Sequence, residues 1–98
     1  MNITFQAVNF KADRKLIKFI TEKVSKLDQF YDKIIDAVVY LKVENSSEPN
    51  NKVIQLKLNV SSNTLYVDEN GLSFEAACDK SIDSMRNQLM KFKGRQKA

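Results

Sequence analysis

The side chains best suited to chemistry in this chain are cations set at helical spacing beside aromatic rings. At about 3.6 residues per turn, Lys15, Lys26 and Lys33 project at nearly the same angle, with Lys18 and Lys23 on either side. Phe19 and Phe30 fall between this basic flank and the apolar stripe of the same segment. Towards the C-terminus, Lys80 and Lys91 share a flank with Ser84 and Asn87, whereas Arg86 and Lys93 project to the other side, near Glu75 and Asp79. From Ser84 to Ala98 there are five cations and no acid in a chain of net charge +4, so residues 1–83 together carry −1. Segregated cations next to partly exposed aromatics suit phosphate contact combined with base or ribose stacking. Glu22 interrupts the lysine edge, and Asp28 and Asp32 hold the opposite flank. An ordinary solvated helix edge therefore accounts for the same pattern.

Other chemistries find little to work with. The chain has no histidine, which removes the commonest general base and metal ligand. Gly71 and Gly94 are its only glycines, too few for a phosphate-cradling loop. Cys78 is the single cysteine, cannot form an internal disulfide, and lies on an apolar helical stripe, which points to packing. Asp79 and Asp83 stand one turn apart with Lys80 and Arg86 close by, a solvated face rather than a general acid–base pair. Tyr31, Tyr40 and Tyr66 form no recognisable constellation, and Met85, Met90 and Cys78 do not make a metal set. No catalytic residue, metal site or cofactor is expected, and the chain does not read as an enzyme. No stretch approaches the roughly twenty apolar residues of a membrane span. The start, Met-Asn-Ile-Thr-Phe, lacks a signal core, so a cytoplasmic protein is expected.

The elements that position these cations follow from periodicity. Residues 2–8 alternate, with Ile3, Phe5 and Ala7 on one side, which predicts a half-buried strand. Asp13 is a suitable N-cap for a helix running to about Asp32, in which Leu16, Ile17, Ile20, Val24, Leu27 and Tyr31 form one stripe. A second strand places Ile35, Ala37, Val39, Leu41 and Val43 inward. The stretch Asn45–Asn51 reads as a hairpin loop, and a third strand turns Ile54, Leu56, Leu58 and Val60 inward. Ser61-Ser62-Asn63 leads to a fourth strand around Thr64–Asp68, followed by a turn at Asn70-Gly71. Ser73 caps a second helix whose stripe is Phe74, Cys78, Ile82, Met85, Leu89 and Phe92, with Gly94 as its expected end. The predicted order is β-α-β-β-β-α in a single domain over residues 1–94, with 95–98 as a flexible basic tail. Strand–helix–strand at the start implies a right-handed parallel crossover, and short links make the remaining strands an antiparallel meander. The expected fold is α+β, a two-layer sandwich of a four-stranded mixed sheet with both helices on one face.

Three segments at this spacing resemble the short ribosome hibernation promoting factors and ribosome-associated inhibitors of bacteria, once described as sigma-54 modulation proteins. Lys26-Leu27-Asp28-Gln29-Phe30-Tyr31-Asp32-Lys33-Ile34-Ile35-Asp36 is similar to the family's run at the end of helix one. Phe74-Glu75-Ala76-Ala77-Cys78-Asp79 resembles the opening of its second helix, and Gln88-Leu89-Met90-Lys91-Phe92-Lys93 its closing basic run. The resemblance implies a domain similar to the double-stranded-RNA-binding fold. It also implies binding to the small ribosomal subunit through rRNA, occlusion of the mRNA and tRNA channel, and silencing of ribosomes in stationary phase or stress. On that basis Lys15, Lys23, Lys26, Lys33, Lys80, Asn87 and Lys91 are the expected RNA contacts, with Lys23, Lys26, Lys33 and Lys91 at positions the family often keeps basic. Ser84 and Asn87 stand where the family commonly has cations, whereas Lys80 and Arg86 are basic here instead. The free chain is expected to be a monomer, and pairing of ribosomes would need a separate partner. Two alternatives stay open: a protein-interaction modulator of sigma-54-dependent transcription, and a general binder of double-stranded RNA.

Overall fold

The computed structural model describes residues 1–8, 10–44 and 47–96, of which residues 95 and 96 by their backbone alone. Its elements run β1 (Asn2–Val8), α1 (Arg14–Ser25), α2 (Leu27–Phe30), β2 (Ile34–Val43), β3 (Lys52–Val60), β4 (Asn63–Gly71) and α3 (Phe74–Gln96). The four strands form one sheet in the order β1-β2-β3-β4, parallel between β1 and β2 and antiparallel elsewhere. Both long helices pack on one face, as the α+β reading requires.

The core lies between the layers. Ala37, Val39 and Leu41 of β2, Ile54, Leu56 and Leu58 of β3, and Leu65 and Val67 of β4 meet Ile20 and Val24 of α1 and Cys78, Met85 and Leu89 of α3. The strand alternation and the helical stripes thus converge on a single interior, which is where apolar area leaves water. Each long helix starts at a side-chain cap. The Asp13 carboxylate accepts from the Leu16 N–H at 2.8 Å, and the Ser73 hydroxyl accepts from the Ala76 N–H at 3.1 Å. Caps of this kind are worth about 1 kcal/mol each. Stacked Phe10 and Phe74 rings, with centroids 5.0 Å apart, close one end of the layer.

Several expectations need correction. The first helix is not continuous to Asp32. It tightens at Lys26, whose N–H reaches the carbonyls of Lys23 and Val24, and resumes as the single turn of α2. That turn ends where Tyr31 swings to an extended backbone (φ −153°) with its side chain buried. Ile35 does not face inward. The β2–β3 register shifts between Ile34 and Asp36, so Ile34 takes the buried place and Ile35 is left 58% exposed. One irregular residue at a strand start reverses the alternation locally.

Asn70-Gly71 is strand rather than turn, for both residues pair with β3, at Val53 and Lys52. Gly71 serves close approach, since a Cβ there would lie 3.0 Å from the Ala77 nitrogen at the start of α3. The chain turns instead at Leu72 and Ser73. Ser61 and Ser62 make the β3–β4 hairpin, with Ser62 at φ 78°. Helix α3 passes Gly94 and reaches Gln96, because a glycine with open space around it weakens a helix without ending it. Asn45 and Ser46 of the expected loop, and Lys97 and Ala98 of the expected tail, lie outside the described residues.

Candidate nucleic-acid interface

Helices α1 and α3 run alongside each other on the sheet and leave a groove between them. Why it forms is visible in the stripes. Ile20 and Val24 drive α1 into the core, and the next positions round the helix, Phe19, Lys23 and Lys26, are turned towards α3. On α3 the buried row Cys78, Met85 and Leu89 leaves Asp79, Ile82, Asp83 and Arg86 facing α1. The groove encloses about 730 Å³, with Lys23, Lys26 and Phe30 on one wall and Asp79, Asp83 and Arg86 on the other. Half-buried Ile82 forms part of its floor, so the stripe of the second helix is less deeply buried at this position than the rest.

Three contacts organise the cations. Lys23 Nζ lies 3.5 Å from Asp79 Oδ1 and 5.4 Å from the centroid of the Phe19 ring. The Arg86 guanidinium covers Phe30, 4.7 Å from its centroid. Cation–aromatic contacts of this kind contribute about 0.5–1 kcal/mol at exposed sites, and here they also hold a planar guanidinium in place. Beyond Phe30 the wall continues into a smaller depression of about 530 Å³ that includes Asp28, Asp32, Lys33 and Lys93. Lys93 donates to the Phe30 carbonyl at 3.0 Å, and Tyr31 meets Phe92 edge to face with ring centroids 5.8 Å apart. These bonds fix α2 against the far half of α3.

The expected contact residues are therefore brought together only in part. Lys23 and Lys26 share the main groove, and Lys33 sits in the adjoining depression. Asn87 stands on the crest of α3 beside Arg86 and exposed Met90. Lys80 and Lys91 lie on the opposite flank of α3, facing β4: Lys80 donates to the Asn70 carbonyl at 2.8 Å, and Lys91 borders a shallow site with Asn63 and Gln88. Lys15 is exposed on the first turn of α1, in none of these depressions. Arg86 and Lys93, which are not among the contacts the resemblance implies, line the main groove and the adjoining depression as well. Their signal was present in the helical wheel, which sets Arg86 near Asp79 and away from Lys80. What the wheel does not show is that α1 lies on that side.

Burial pushes the Cys78 thiol up to about 12, with the neighbouring Asp79 carboxylate adding to the shift, so the sulfur stays protonated at neutral pH. Among the described residues no cluster of His, Cys, Asp and Glu could hold a metal ion.

Comparison with known proteins gives this arrangement a family. The model of the sigma 54 modulation protein / S30EA ribosomal protein family matches residues 3–97. The chain belongs to that family. It is 30% identical to the ribosome hibernation promoting factor of Klebsiella oxytoca over 97 residues, covering 99% of this chain and 98% of that one. It is 35% identical to the ribosome hibernation promotion factor of Deinococcus radiodurans over 89 residues, and there the match spans 89% of this chain but only 46% of the relative. Two solved structures share the fold. A ribosomal subunit interface protein from Coxiella burnetii superposes with a TM-score of 0.86 at 14% identity, covering 96% of this chain and 99% of that one. The N-terminal domain of Thermus thermophilus Protein Y superposes at 0.81 and 20% identity, covering 94% and 99%.

Proposed function

We infer that this protein is a ribosome hibernation factor of the cytoplasm, which docks on rRNA of the small ribosomal subunit and silences idle ribosomes. The observation that carries the reading is the groove of a family member, where Lys23, Lys26 and Arg86 converge beside Phe30. Cations over aromatic rings at a helix pair offer phosphate contact and stacking together, a combination suited to folded RNA with unstacked bases. Curated relatives matched over nearly their whole length carry the hibernation name. The mechanism is steric: the helical face lies on rRNA phosphates in the channel for messenger and transfer RNA, and the sheet fills the space behind it. This is binding without turnover, in keeping with a protonated thiol and a chain without histidine. The free chain acts as a monomer, and ribosome pairing, where it occurs, is supplied by another protein. The unit that docks is the single domain, whose last helix runs past Gly94 to Gln96.

Sedimentation with purified small ribosomal subunits tests the reading. At low salt the chain is expected in the pellet, and release should be steep as salt rises, because each neutralised phosphate frees counterions. A chain that stays in the supernatant at low salt contradicts it. A pull-down that recovers RNA polymerase subunits and no ribosomal protein would favour the transcription-modulating reading instead. Equal affinity for any RNA duplex, with duplex competing the chain off ribosomes, would favour a general double-stranded-RNA binder.

A further inference from the structure

The groove between α1 and α3 has an acidic component that phosphate binding does not explain. Carboxylates repel a sugar–phosphate backbone, so a surface serving the backbone alone gains nothing from Asp79 and Asp83. The two acids differ. Lys23 engages Asp79 at 3.5 Å, whereas exposed Asp83 forms no salt bridge with any described residue. One turn further along α3, the Arg86 guanidinium lies over the Phe30 ring, 4.7 Å from its centroid. A planar cation–aromatic platform, a free carboxylate beside it and the Lys26 ammonium across the groove thus line one cavity. Its volume of about 730 Å³ falls within the range of small-molecule sites.

Resting on the rRNA reading above, we propose that this groove receives a single unstacked base and prefers guanine. On its Watson–Crick edge guanine presents two parallel donors, N1–H and N2–H, which match the two oxygens of one carboxylate. Adenine, cytosine and uracil offer no such pair on that edge. Asp83 accepts both bonds, the base stacks on the Arg86–Phe30 platform, and Lys26 holds a flanking phosphate. Lys23 neutralises Asp79, which leaves Asp83 as the reading group.

Fluorescence anisotropy with the full chain and four labelled single-stranded RNAs, UUGUU, UUAUU, UUCUU and UUUUU, tests this directly. The guanine oligonucleotide is expected to bind about 10-fold more tightly than the other three, the discrimination of one good bidentate pair. Asp83→Asn, which replaces one acceptor by a donor and removes a negative charge, should bring all four within about 2-fold of one another without weakening UUUUU. Wild-type affinities within about 2-fold overturn the proposal. So does an Asp83→Asn protein that binds all four more tightly and keeps their order, since the carboxylate would then only oppose phosphate. Sedimentation with small subunits separates this from the reading beneath it. Pelleting without discrimination removes the guanine site alone, and discrimination without pelleting removes the ribosomal role alone.

Discussion

The two broad polar surfaces of this molecule both carry lysines and aromatic rings, but they treat their charges differently. The face of the sheet away from the helices bears Lys42, Lys57, Tyr40 and Tyr66 with Asp36 and Asp68, as many acids as lysines. Its acids and amides bond one another: Asn59 bridges Asp36 and Thr64, and Gln55 donates to Asp68, while Lys42 and Lys57 form no salt bridge with any described residue. Register keeps these partners in rows across β2, β3 and β4, so the strand pairing that builds the sheet also satisfies its surface. The helical face has no such rows. Neighbouring cations there arise from two helices far apart in sequence, and Lys26 and Arg86 form no salt bridge with any described residue. Similar composition thus gives rows of paired acids and amides on one side and a groove of converging cations on the other.

Replacement of Lys23, Lys26 and Arg86 together by Ala should separate the surfaces most sharply. Affinity for small ribosomal subunits near physiological salt is expected to fall by about 100-fold, with the slope of log K against log salt reduced by about 2. Lys42→Ala with Lys57→Ala should change affinity by less than about 3-fold, because those lysines lie on the other face. A titration giving equal losses for the two variants would break the distinction.

A smaller effect bears on the platform. Arg86→Lys keeps the charge but gives up the guanidinium's contact with Phe30, so binding should weaken by about 3-fold while the salt slope stays unchanged. A wild-type affinity in that titration would leave Arg86 as a point charge only. Asp36→Ala sharpens the other side of the comparison. It removes the partner of Asn59 and should lower stability in urea unfolding by about 1 kcal/mol, with ribosome affinity unaffected.

Confined to high pH, and without effect near neutrality, is the contribution of the buried thiol. In the unfolded chain Cys78 ionises near its ordinary value of 9, whereas in the fold burial holds it protonated to about 12. Above pH 9 the unfolded state therefore binds fewer protons at this group. Its contribution to stability is intact below that pH and declines as pH rises towards 12, at no more than about 1.4 kcal/mol per unit. Comparing alkaline unfolding of wild type and Cys78→Ala should show the steeper decline in wild type. Parallel slopes would mean the thiol ionises alike in both states.

Most of this fold could be read from the chain because its signals are local. Alternation at Ile54, Leu56, Leu58 and Val60, and the row Cys78, Met85 and Leu89, each specify an element and its buried side without help from the rest. The misplacements occur where a distant contact overrides a local cue. Asn70-Gly71 resembles a turn, yet pairing with Lys52 and Val53 and the closeness of Ala77 make it strand. Ile35 fits the alternation, but the shifted register beside Val60 and Asn59 gives the interior to Ile34. The interface shows the same division. Each helix's cations could be placed on a wheel, but the partner of each flank depended on tertiary packing. Lys80 and Lys91 turn towards β4, whereas Arg86 is the α3 cation that faces Lys23 and Lys26.

The central claim is that the helical face, and not the open sheet face, meets ribosomal RNA. A photo-crosslinking side chain at Met90, 57% exposed on the crest of α3, can be compared with one at Val38, which lies on the open face beside Lys57. After irradiation with small ribosomal subunits, position 90 should attach to rRNA and position 38 should give at most traces. Strong rRNA attachment from position 38 with none from position 90 would contradict the account.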